Sequence, residues 1–349
     1  MTTLLNRRFA TAFLLLVSTG LVFACNEPTP TTLVNFAISD APVGDLEAVV
    51  ITIDRITLNR PGDDIVIDSF PNDDPDGEDT DSITIDLLDV QGLDNILIVD
   101  GIELEVGKYQ NIRLRIIDSN IDLTYVEEAG GEHKPLKQPS NELKLGGFTV
   151  EDSGVQSFIL EFNLPKAMTY NPGPDRYILK PRGVRIVDIE AAVTIAGVVD
   201  DALFDGVAPC DAKPEAEVGN AVYLYRGHDL DTDALGDLFD PDIDTDAAAN
   251  LIEPHASEKV AEDGSYMFGY LHPGDYTLAF SCDAEMDDPD YDDLLAGARG
   301  KNTSAWINSW YKFRNQVKAG LEVSYWETEY VGEDDRDGMR YQGAVQYTF

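Results

Sequence analysis

Short runs of β-branched and aromatic residues follow one another from Leu33 onward, and their spacing constrains the fold more than any other feature of the chain. Many of these runs alternate apolar and polar residues with a period of two, which is typical of half-buried strands. We therefore predict an all-β protein whose first domain, residues 33–192, is an antiparallel β-sandwich. Clusters of Gly, Pro, Asn and Asp, which favour turns, separate the runs at 59–64, 71–82, 129–141 and 171–175.

The run at residues 49–58 shows the alternation most clearly. A strand places successive side chains on opposite faces of its sheet, so residues two apart share a face. We therefore expect one face to carry Val50, Thr52, Asp54 and Ile56, and the other to carry Val49, Ile51, Ile53 and Arg55.

Five spaced motifs run through this domain in the order SDAPV (39–43), VVITIDRITL (49–58), LLDV (87–90), VGKYQNIRL (106–114) and YILKP (177–181). The first predicts a turn that ends a strand, because Pro42 fixes the backbone. In the fourth, we expect Tyr109 to be buried with its hydroxyl hydrogen-bonded. Together the motifs resemble a family of bacterial lipoproteins called domain of unknown function 4382. The resemblance covers about residues 33–190 and implies a prealbumin-like β-sandwich without an assigned activity.

A second domain, residues 193–295, is indicated by the run DGSYMFGYLHPGDYTLAF at 263–280. Asp263 and Gly264 predict a hairpin turn, after which Tyr266 and Phe268 share one strand face. The run resembles the pattern of carboxypeptidase-regulatory-like domains, which implies a small transthyretin-like sandwich that serves as an accessory module without catalytic residues. Some relatives of that kind bind carbohydrate, so sugar binding is the alternative function. The next strand is expected to have one face formed by Tyr276, Leu278 and Phe280.

The N-terminal residues 1–25 predict a signal for export. Arg7 and Arg8 precede an apolar stretch at 9–23, which is shorter than the roughly 20 residues of a membrane-spanning helix. The stretch ends in VFAC, which resembles the lipobox of bacterial lipoproteins and implies a lipid on Cys25 as the link to a membrane. Residues 26–32 then form a tether, and Asn26, in place of Asp, favours the outer membrane. The alternatives are an uncleaved anchor and an ordinary signal peptide.

Acidic residues dominate the charge, since 65 Asp and Glu stand against 25 Lys and Arg and give a net charge of −40. This excess argues against nucleic acid as a partner, because phosphate binding needs a basic surface. It argues equally against docking on an anionic membrane by charge. A mean hydropathy of −0.20, with one long apolar run, excludes a helical protein that crosses a bilayer many times.

Three cysteines are present, at positions 25, 210 and 282. With Cys25 assigned to the lipid, Cys210 and Cys282 remain within one small domain. In an oxidising compartment such a pair is most simply a disulfide. Two free thiols, or a bond between molecules, are the alternatives.

One acidic loop is a candidate calcium site. Its first half copies the spacing of an EF-hand loop as far as Gly77, but Ile83 stands where that loop requires a bidentate Glu. We therefore predict a looser calcium site rather than an EF-hand. The alternative, for this loop and for the acidic runs at 229–246 and 287–293, is a solvated linker. The candidate ligands are Asn72, Asp74, Asp76, Asp79 and Asp81.

No catalytic motif stands out in the sequence. The four His have no metal-binding spacing, and the HExxH, CxxC, GxSxG and P-loop patterns are absent. We therefore expect a protein that is not an enzyme but a cell-envelope lipoprotein with a structural role, or one that binds a glycan or an envelope protein. A hydrolase that uses an unmarked pair of acids is the further alternative.

Residues 296–349 differ in composition and hold all three Trp. Alternation predicts three strands, at 303–313, 317–326 and 341–349, and the last ends in Phe349. That ending resembles the closing strand of an outer-membrane porin, although three strands cannot close a barrel, for which about eight are needed. Three interpretations compete: additional strands of the second sandwich, a fused porin fragment, and a sheet that seeks a partner.

Overall fold

The computed structural model describes most of the chain from residue 29 onward. For residues 302–314, 317–328 and 336–347, the description is restricted to the backbone and its strand pairing. The ranges are 29–41, 46–72, 78–199, 219–228, 230–231, 234–239, 241, 249–282, 284, 302–314, 317–328 and 336–347.

Residues 31–188 form a first β unit in which almost every element is a strand, so the all-β prediction is confirmed. Short 3₁₀ turns at Leu87–Val90, Pro139–Asn141 and Pro181–Gly183 connect some of the strands. The elements are β1 (Thr31–Ala41), β2 (Leu46–Asn59), β3 (Ile65–Ile67), β4 (Ile83–Asp86), β5 (Ile96–Glu105), β6 (Gly107–Tyr109), β7 (Asn111–Ile116), β8 (Tyr125–Glu128), β9 (Glu132–Lys137), β10 (Leu143–Lys144), β11 (Phe148–Val150), β12 (Val155–Asn163), α1 (Leu164–Ala167), β13 (Met168–Asn171), β14 (Arg176–Leu179) and β15 (Val184–Asp188).

Two sheets of the first unit enclose one apolar core. One sheet has the strand order β15-β12-β1-β5, and the other has the order β10-β7-β2-β8-β9-β14-β13, with β3 and β4 also paired to β2. Most neighbours are antiparallel, as expected. The exceptions are β1 with β12 and β14 with β9, which pair in parallel. In both pairs the partner comes from a distant part of the chain rather than from a hairpin, which is what parallel pairing requires.

Aromatic rings fill the centre of the first core. The ring of Phe36 lies 5.4 Å from that of Phe148 and 5.7 Å from that of Phe158, measured between centroids. Tyr109 stacks on Phe148 at 4.8 Å and is 1% exposed. Its hydroxyl donates a hydrogen bond to the carbonyl oxygen of Glu105 at 3.2 Å. The expectation of a buried, hydrogen-bonded Tyr109 is therefore confirmed.

An irregularity in β2 changes which of its residues face the core. The register of β2 against β7 shifts between Ile53 and Arg55, so one extra residue lies on β2. Ile53 and Ile56 are both fully buried in the core as a result. The expectation that Ile56 shares a face with Val50 is therefore wrong, because a bulge moves every later side chain to the other face of the strand.

Residues 193–347 contribute the strands of a second β unit. The strands are β16 (Val193–Val198), β17 (Ala221–Arg226), β18 (Ala256–Lys259), β19 (Ser265–Leu271), β20 (Tyr276–Ser281), β21 (Asn302–Arg314), β22 (Val317–Thr328) and β23 (Arg336–Tyr347). β16 pairs with β19, while the others form a sheet in the order β18-β17-β20-β21-β22-β23. The described strands of the second unit thus form two sheets.

The second core confirms the faces expected for β19 and β20. Tyr266 and Phe268 are buried in it together with Leu278, and Tyr276 and Phe280 pack against it. The turn expected before β19 is present, since the glycine that precedes this strand has a φ of +79°. It does not form a hairpin, however, because it joins β18 to β19 and these strands belong to different sheets.

The three C-terminal strands continue the larger sheet of the second unit. Thr277 of β20 pairs with Ala305 of β21, and β21, β22 and β23 pair antiparallel along their lengths. The strands predicted at 303–313 and 317–326 agree with β21 and β22, whereas β23 begins at Arg336 rather than at 341. This backbone pairing favours additional strands of the second unit among the three interpretations. The likeness to a porin stays a hypothesis.

A bulge in β19 directs one side chain out of the second unit. The register of β19 against β16 shifts between Val193 and Ile195, opposite Gly269 and Tyr270. Tyr270 has a φ of +46°, an unfavourable value for a residue with a side chain. Gly269 approaches the first unit so closely that a Cβ atom there would lie 2.5 Å from the carbonyl oxygen of Gly92. The two units therefore meet backbone to backbone at this bulge.

We predict that Gly269→Ala weakens the contact between the two units. The added methyl group would overlap a backbone oxygen that cannot rotate away, at a cost of about 1–3 kcal/mol. Differential scanning calorimetry should show a melting temperature several degrees lower. Gly146→Ala is the matched control, because no heavy atom lies within 4 Å of the added Cβ position. Equal melting of both variants would contradict the close approach.

Candidate functional site

The cysteines assigned by the sequence lie mostly outside the described ranges. Cys25 and Cys210 both fall outside them. Cys282 directly follows β20 and is 7% exposed. The lipid on Cys25 and the disulfide between Cys210 and Cys282 therefore remain predictions.

Two of the expected calcium ligands, Asp74 and Asp76, also lie outside the described ranges. Asp81 is exposed at the end of the same loop. Among the residues that the structure describes, no group of three His, Cys, Asp or Glu side chains could hold a metal ion. Calcium binding by the loop therefore stays a prediction.

The remaining candidate ligands, Asn72 and Asp79, take part in the loop's own hydrogen bonds. The side-chain amide of Asn72 donates to the carbonyl oxygen of Glu78 at 3.1 Å. The hydroxyl of Ser69 donates to the carboxylate of Asp79 at 3.1 Å. Both side chains thus support the conformation of the loop near its ends.

A concentration of buried polar groups lies where the two units meet, and we call this contact the seam. Its first-unit side is the face of β15, β12 and β1 that points away from the first core. At its apolar centre, Ala37, Ile159 and Val187 cluster with Tyr270, whose hydroxyl donates to the carbonyl oxygen of Leu93 at 2.6 Å. The seam comprises Ala37, Ile159, Glu161, Asn163, Arg185 and Val187 from the first unit and Ser257, Glu258, Gly269 and Tyr270 from the second.

One arginine of the first unit, Arg185, ties the two units together at the seam. Glu161 of β12 and Arg185 of β15 are cross-strand neighbours, and their charged groups lie 2.8 Å apart. Arg185 also donates to the carbonyl oxygens of Gly269 at 3.1 Å and Tyr270 at 3.3 Å. The guanidinium can make these bonds together because it carries five donors in a fixed plane. Arg185 thus joins a carboxylate of its own unit to the backbone of the other.

A second carboxylate, that of Glu258 on β18, lies within the electrostatic reach of this pair and is 4% exposed. Burial, followed by the charge of Glu161, raises the pKa of Glu258 well above its usual range, although Arg185 opposes this. Burial also raises the pKa of Glu161 to about 8 against the opposing charge of Arg185. Burial thus favours the protonated form of both acids near neutral pH, and the charge of Arg185 opposes it.

Neutral polar groups of the seam also favour a proton there. The amide nitrogen of Asn163 donates to the carbonyl oxygen of Ser257 at 3.2 Å. Asn163 Oδ1, Ser257 Oγ and Glu161 Oε2 are buried without a hydrogen-bond partner among the described residues. An unsatisfied buried oxygen costs about 1–3 kcal/mol. A protonated carboxyl can donate to such an acceptor, whereas a carboxylate cannot.

A second group of charges flanks the seam. Glu253 lies 2.7 Å from Arg182 and 3.2 Å from Lys166. Lys166 also donates to the carbonyl oxygen of Pro254 at 2.8 Å, and Arg182 to that of Phe239 at 2.6 Å. Burial lowers the pKa of Lys166, and the neighbouring Glu253 opposes this effect. Both cations reach from the first unit to the second and are engaged by Glu253 there.

Asp40 is a third buried acid, near the end of β1 and inside the motif SDAPV. It is 1% exposed, and neither of its carboxylate oxygens makes a hydrogen bond of good geometry. Burial, and then the charges of Glu161 and Glu258, raise the pKa of Asp40 well above its usual range. The backbone amides of Ala41 and Leu164 act in the opposite direction. The turn expected at Pro42 lies outside the described residues and stays a prediction.

Two histidines near the seam are neutral at physiological pH. Burial, assisted by the charge of Arg185, lowers the pKa of His255 to about 3. Burial likewise lowers the pKa of His272. Neither imidazole therefore supplies a positive charge to the neighbouring acids near neutral pH.

The sequence analysis did not single out the seam, although one signal for it exists. In the run SFILEFN at 157–163, Glu161 and Asn163 interrupt a strand that is otherwise apolar at almost every position. A charged residue in a run without polar alternation indicates a strand that is buried on both faces. The neighbouring runs alternate polar and apolar residues, so this run groups with them as one more half-buried strand.

Comparison with known families agrees with the resemblance inferred from the motifs. Residues 31–181 match the model of a family described as a domain of unknown function (DUF4382). The matched range contains the strands from β1 to β14. Neither the curated proteins nor the solved structures gave a match. In the part of the chain that the structure describes, no helix has the length and apolar character needed to cross a membrane.

We predict that Arg185→Met destabilises the protein by about 3–5 kcal/mol, because it leaves the buried Glu161 without its partner and removes the hydrogen bonds to the second unit. The double variant with Glu161→Leu should recover part of this loss, since it removes the unpartnered acid. Urea denaturation measures both effects. Arg115→Met is the control, because its partner Asp54, at 2.6 Å, belongs to a partly exposed pair whose loss costs about 1 kcal/mol or less. Equal losses for the two single variants would contradict the role of the seam.

Proposed function

We propose that this protein is a non-catalytic lipoprotein of the bacterial cell envelope in which two β units act as one rigid structural or binding body. The seam is the observation that carries this proposal. Its apolar centre, the bonds from Arg185 to the second unit and the close approach of Gly269 and Gly92 all favour a fixed arrangement. Because its acids are buried inside the contact, they are placed to hold the units together rather than to meet a substrate.

The envelope location is supported by the sequence of the N-terminus. The apolar stretch that ends at Cys25 resembles a lipoprotein signal, and residues 26–30, which precede the first strand, can act as a tether between a membrane surface and that strand. The acidic surface implied by a net charge of −40 would repel anionic lipids, so attachment would rely on the lipid rather than on charge. We further propose that the second unit is a transthyretin-like accessory module, which the burial of Tyr266 and Phe268 supports.

We predict that Cys25→Ser abolishes attachment to the membrane. In a bacterium with two membranes, the wild-type protein should incorporate an alkyne-labelled fatty acid and sediment with the outer membrane. The variant should be unlabelled and appear in the periplasmic fraction, because the acylated sulfur is gone. Cys210→Ser should keep the label, which controls for the general loss of a thiol. A variant that lacks Cys25 but remains labelled or membrane-bound would refute the anchor.

A glycan-binding role is the second candidate, and one surface feature favours it. On the hairpin of β8 and β9, the rings of Tyr125 and His133 stack with centroids 4.1 Å apart and an angle of 10° between their planes. Glu127 lies 3.5 Å from His133 on the same face. Tyr125 is half-buried and His133 is exposed, and an accessible aromatic edge beside a carboxylate can contact the C–H groups of a sugar ring and accept hydrogen bonds from its hydroxyls.

If this surface binds glycans, Tyr125→Ala should reduce binding on a glycan array at least tenfold, with or without added calcium. Tyr170→Ala is the control, because Tyr170 lies on the opposite face of the sheet with its hydroxyl bonded to Asp175. Unchanged binding by Tyr125→Ala, or an equal loss in both variants, would dismiss the stack as the binding surface. Loss of binding on removal of calcium alone would favour the acidic loop instead.

A further inference from the structure

We propose that the seam is a proton-dependent contact: protonation of the buried acids Glu161 and Glu258 keeps the second unit docked on the first, and loss of a proton from them releases it. The proposal rests on the docked arrangement described under the proposed function, and it is independent of the lipid anchor. It concerns a regulatory property that neither the fold nor the family match implies.

The balance of charge at the seam carries this inference. Glu161 and Glu258 come from different units and are both almost fully buried. Arg185 contacts Glu161 and also donates hydrogen bonds to two backbone carbonyls of the second unit. When both carboxyls are ionised, two buried negative charges lie on opposite sides of the contact. Arg185 pairs with Glu161, and Glu258 has no ion pair of its own among the described residues. Separation of the units would then relieve both the repulsion and the cost of burial.

Arg185 is the cation that acts on the pKa values of Glu161 and Glu258, whereas Lys166 and Arg182 lie against a different acid. Glu253 engages both Lys166 and Arg182 at 3.2 and 2.7 Å. Asp40 of β1 is a further buried acid whose pKa is raised by burial, so it supplies no positive charge to the seam. Arg226 of β17 acts on the histidines described above and is exposed.

The two nearby histidines do not control the contact in the relevant range of pH. Burial lowers the pKa of both His255 and His272, so both are already neutral when the acids begin to ionise. Two other groups nearby have shifted pKa values, since burial lowers the pKa of Lys166 and raises that of Asp40. A variant of Glu258 therefore separates the effect of its proton from those of Lys166 and Asp40.

The direction of the pH dependence follows from the raised pKa values. When the units are docked, burial raises the pKa of Glu161 to about 8, whereas an exposed Glu titrates near 4.5. The docked form therefore binds more protons than the undocked form between these values. Docking is fully stabilised below the exposed value and is progressively lost as the pH rises through the docked value.

Distances between the two units provide the test. Spin labels at Val66→Cys on β3 and Val198→Cys on β16 occupy exposed positions, with 51% and 63% exposure, one on each unit. The full chain is made with Cys25→Ser so that it stays in solution. A sample without the two new cysteines measures any labelling of Cys210 and Cys282. Pulsed electron paramagnetic resonance then gives the distribution of label distances from pH 6 to pH 10.

We expect one narrow distance distribution at pH 6 and a broad one above about pH 8. Glu258→Gln mimics the protonated acid, so its transition should move upward by about one pH unit or more, or disappear. Glu262→Gln removes one exposed negative charge from the same unit and should leave the transition in place. If Glu258→Gln does not fold, the wild-type titration still decides whether docking depends on pH.

Three results would overturn the proposal. A narrow distribution at every pH would leave the rigid body of the proposed function standing and reject the proton dependence. A broad distribution at every pH would reject both. A transition that is identical in the wild type, Glu258→Gln and Glu262→Gln would show that another group, such as Lys166, controls the contact.

Discussion

The sheet β15-β12-β1-β5 is covered on both faces along its central strands, and the remaining structure depends on this constraint. Every residue at 36–41 in β1 and at 158–163 in β12 is buried. One face closes the first core, and the second unit covers the other. Any polar side chain on the outer face must therefore find a partner inside the protein or remain unsatisfied. Glu161 is such a side chain, and its pairing with Arg185 links the burial of one carboxylate to the docking of a whole unit.

The seam also shows how an acidic chain handles buried charge. With 65 acids and 25 cations in the sequence, few cations are left to neutralise acids inside a contact. On the surface this excess is harmless, because water solvates each carboxylate and repulsion between molecules keeps them apart. Inside the seam the carboxyls are removed from water, and a proton rather than a cation neutralises their charge. The same composition that favours solubility thus makes the buried contact sensitive to pH.

Local pattern predicted much of the fold, and its failures share one cause. Alternation placed Tyr266 and Phe268 on one buried face, and the motif around Tyr109 indicated a buried phenol with a partner. Alternation misplaced Ile56, because a bulge in β2 shifts the side chains that follow it. It also suggested a hairpin before β19, although that strand pairs with β16. In each failure, strands that are distant in sequence selected the register or the partner.

The sequence by itself determined the all-β class, the approximate positions of most strands and the resemblance to a domain of unknown function, because these depend on residue type and short-range spacing. Only the tertiary structure decided that the outer face of β12 is covered, that Arg185 reaches the backbone of the second unit and that Glu161 and Glu258 share one environment. The protonation of a carboxyl depends on its distance from water and from other charges. Those distances are set by contacts between residues roughly a hundred positions apart in the chain, which no local pattern contains.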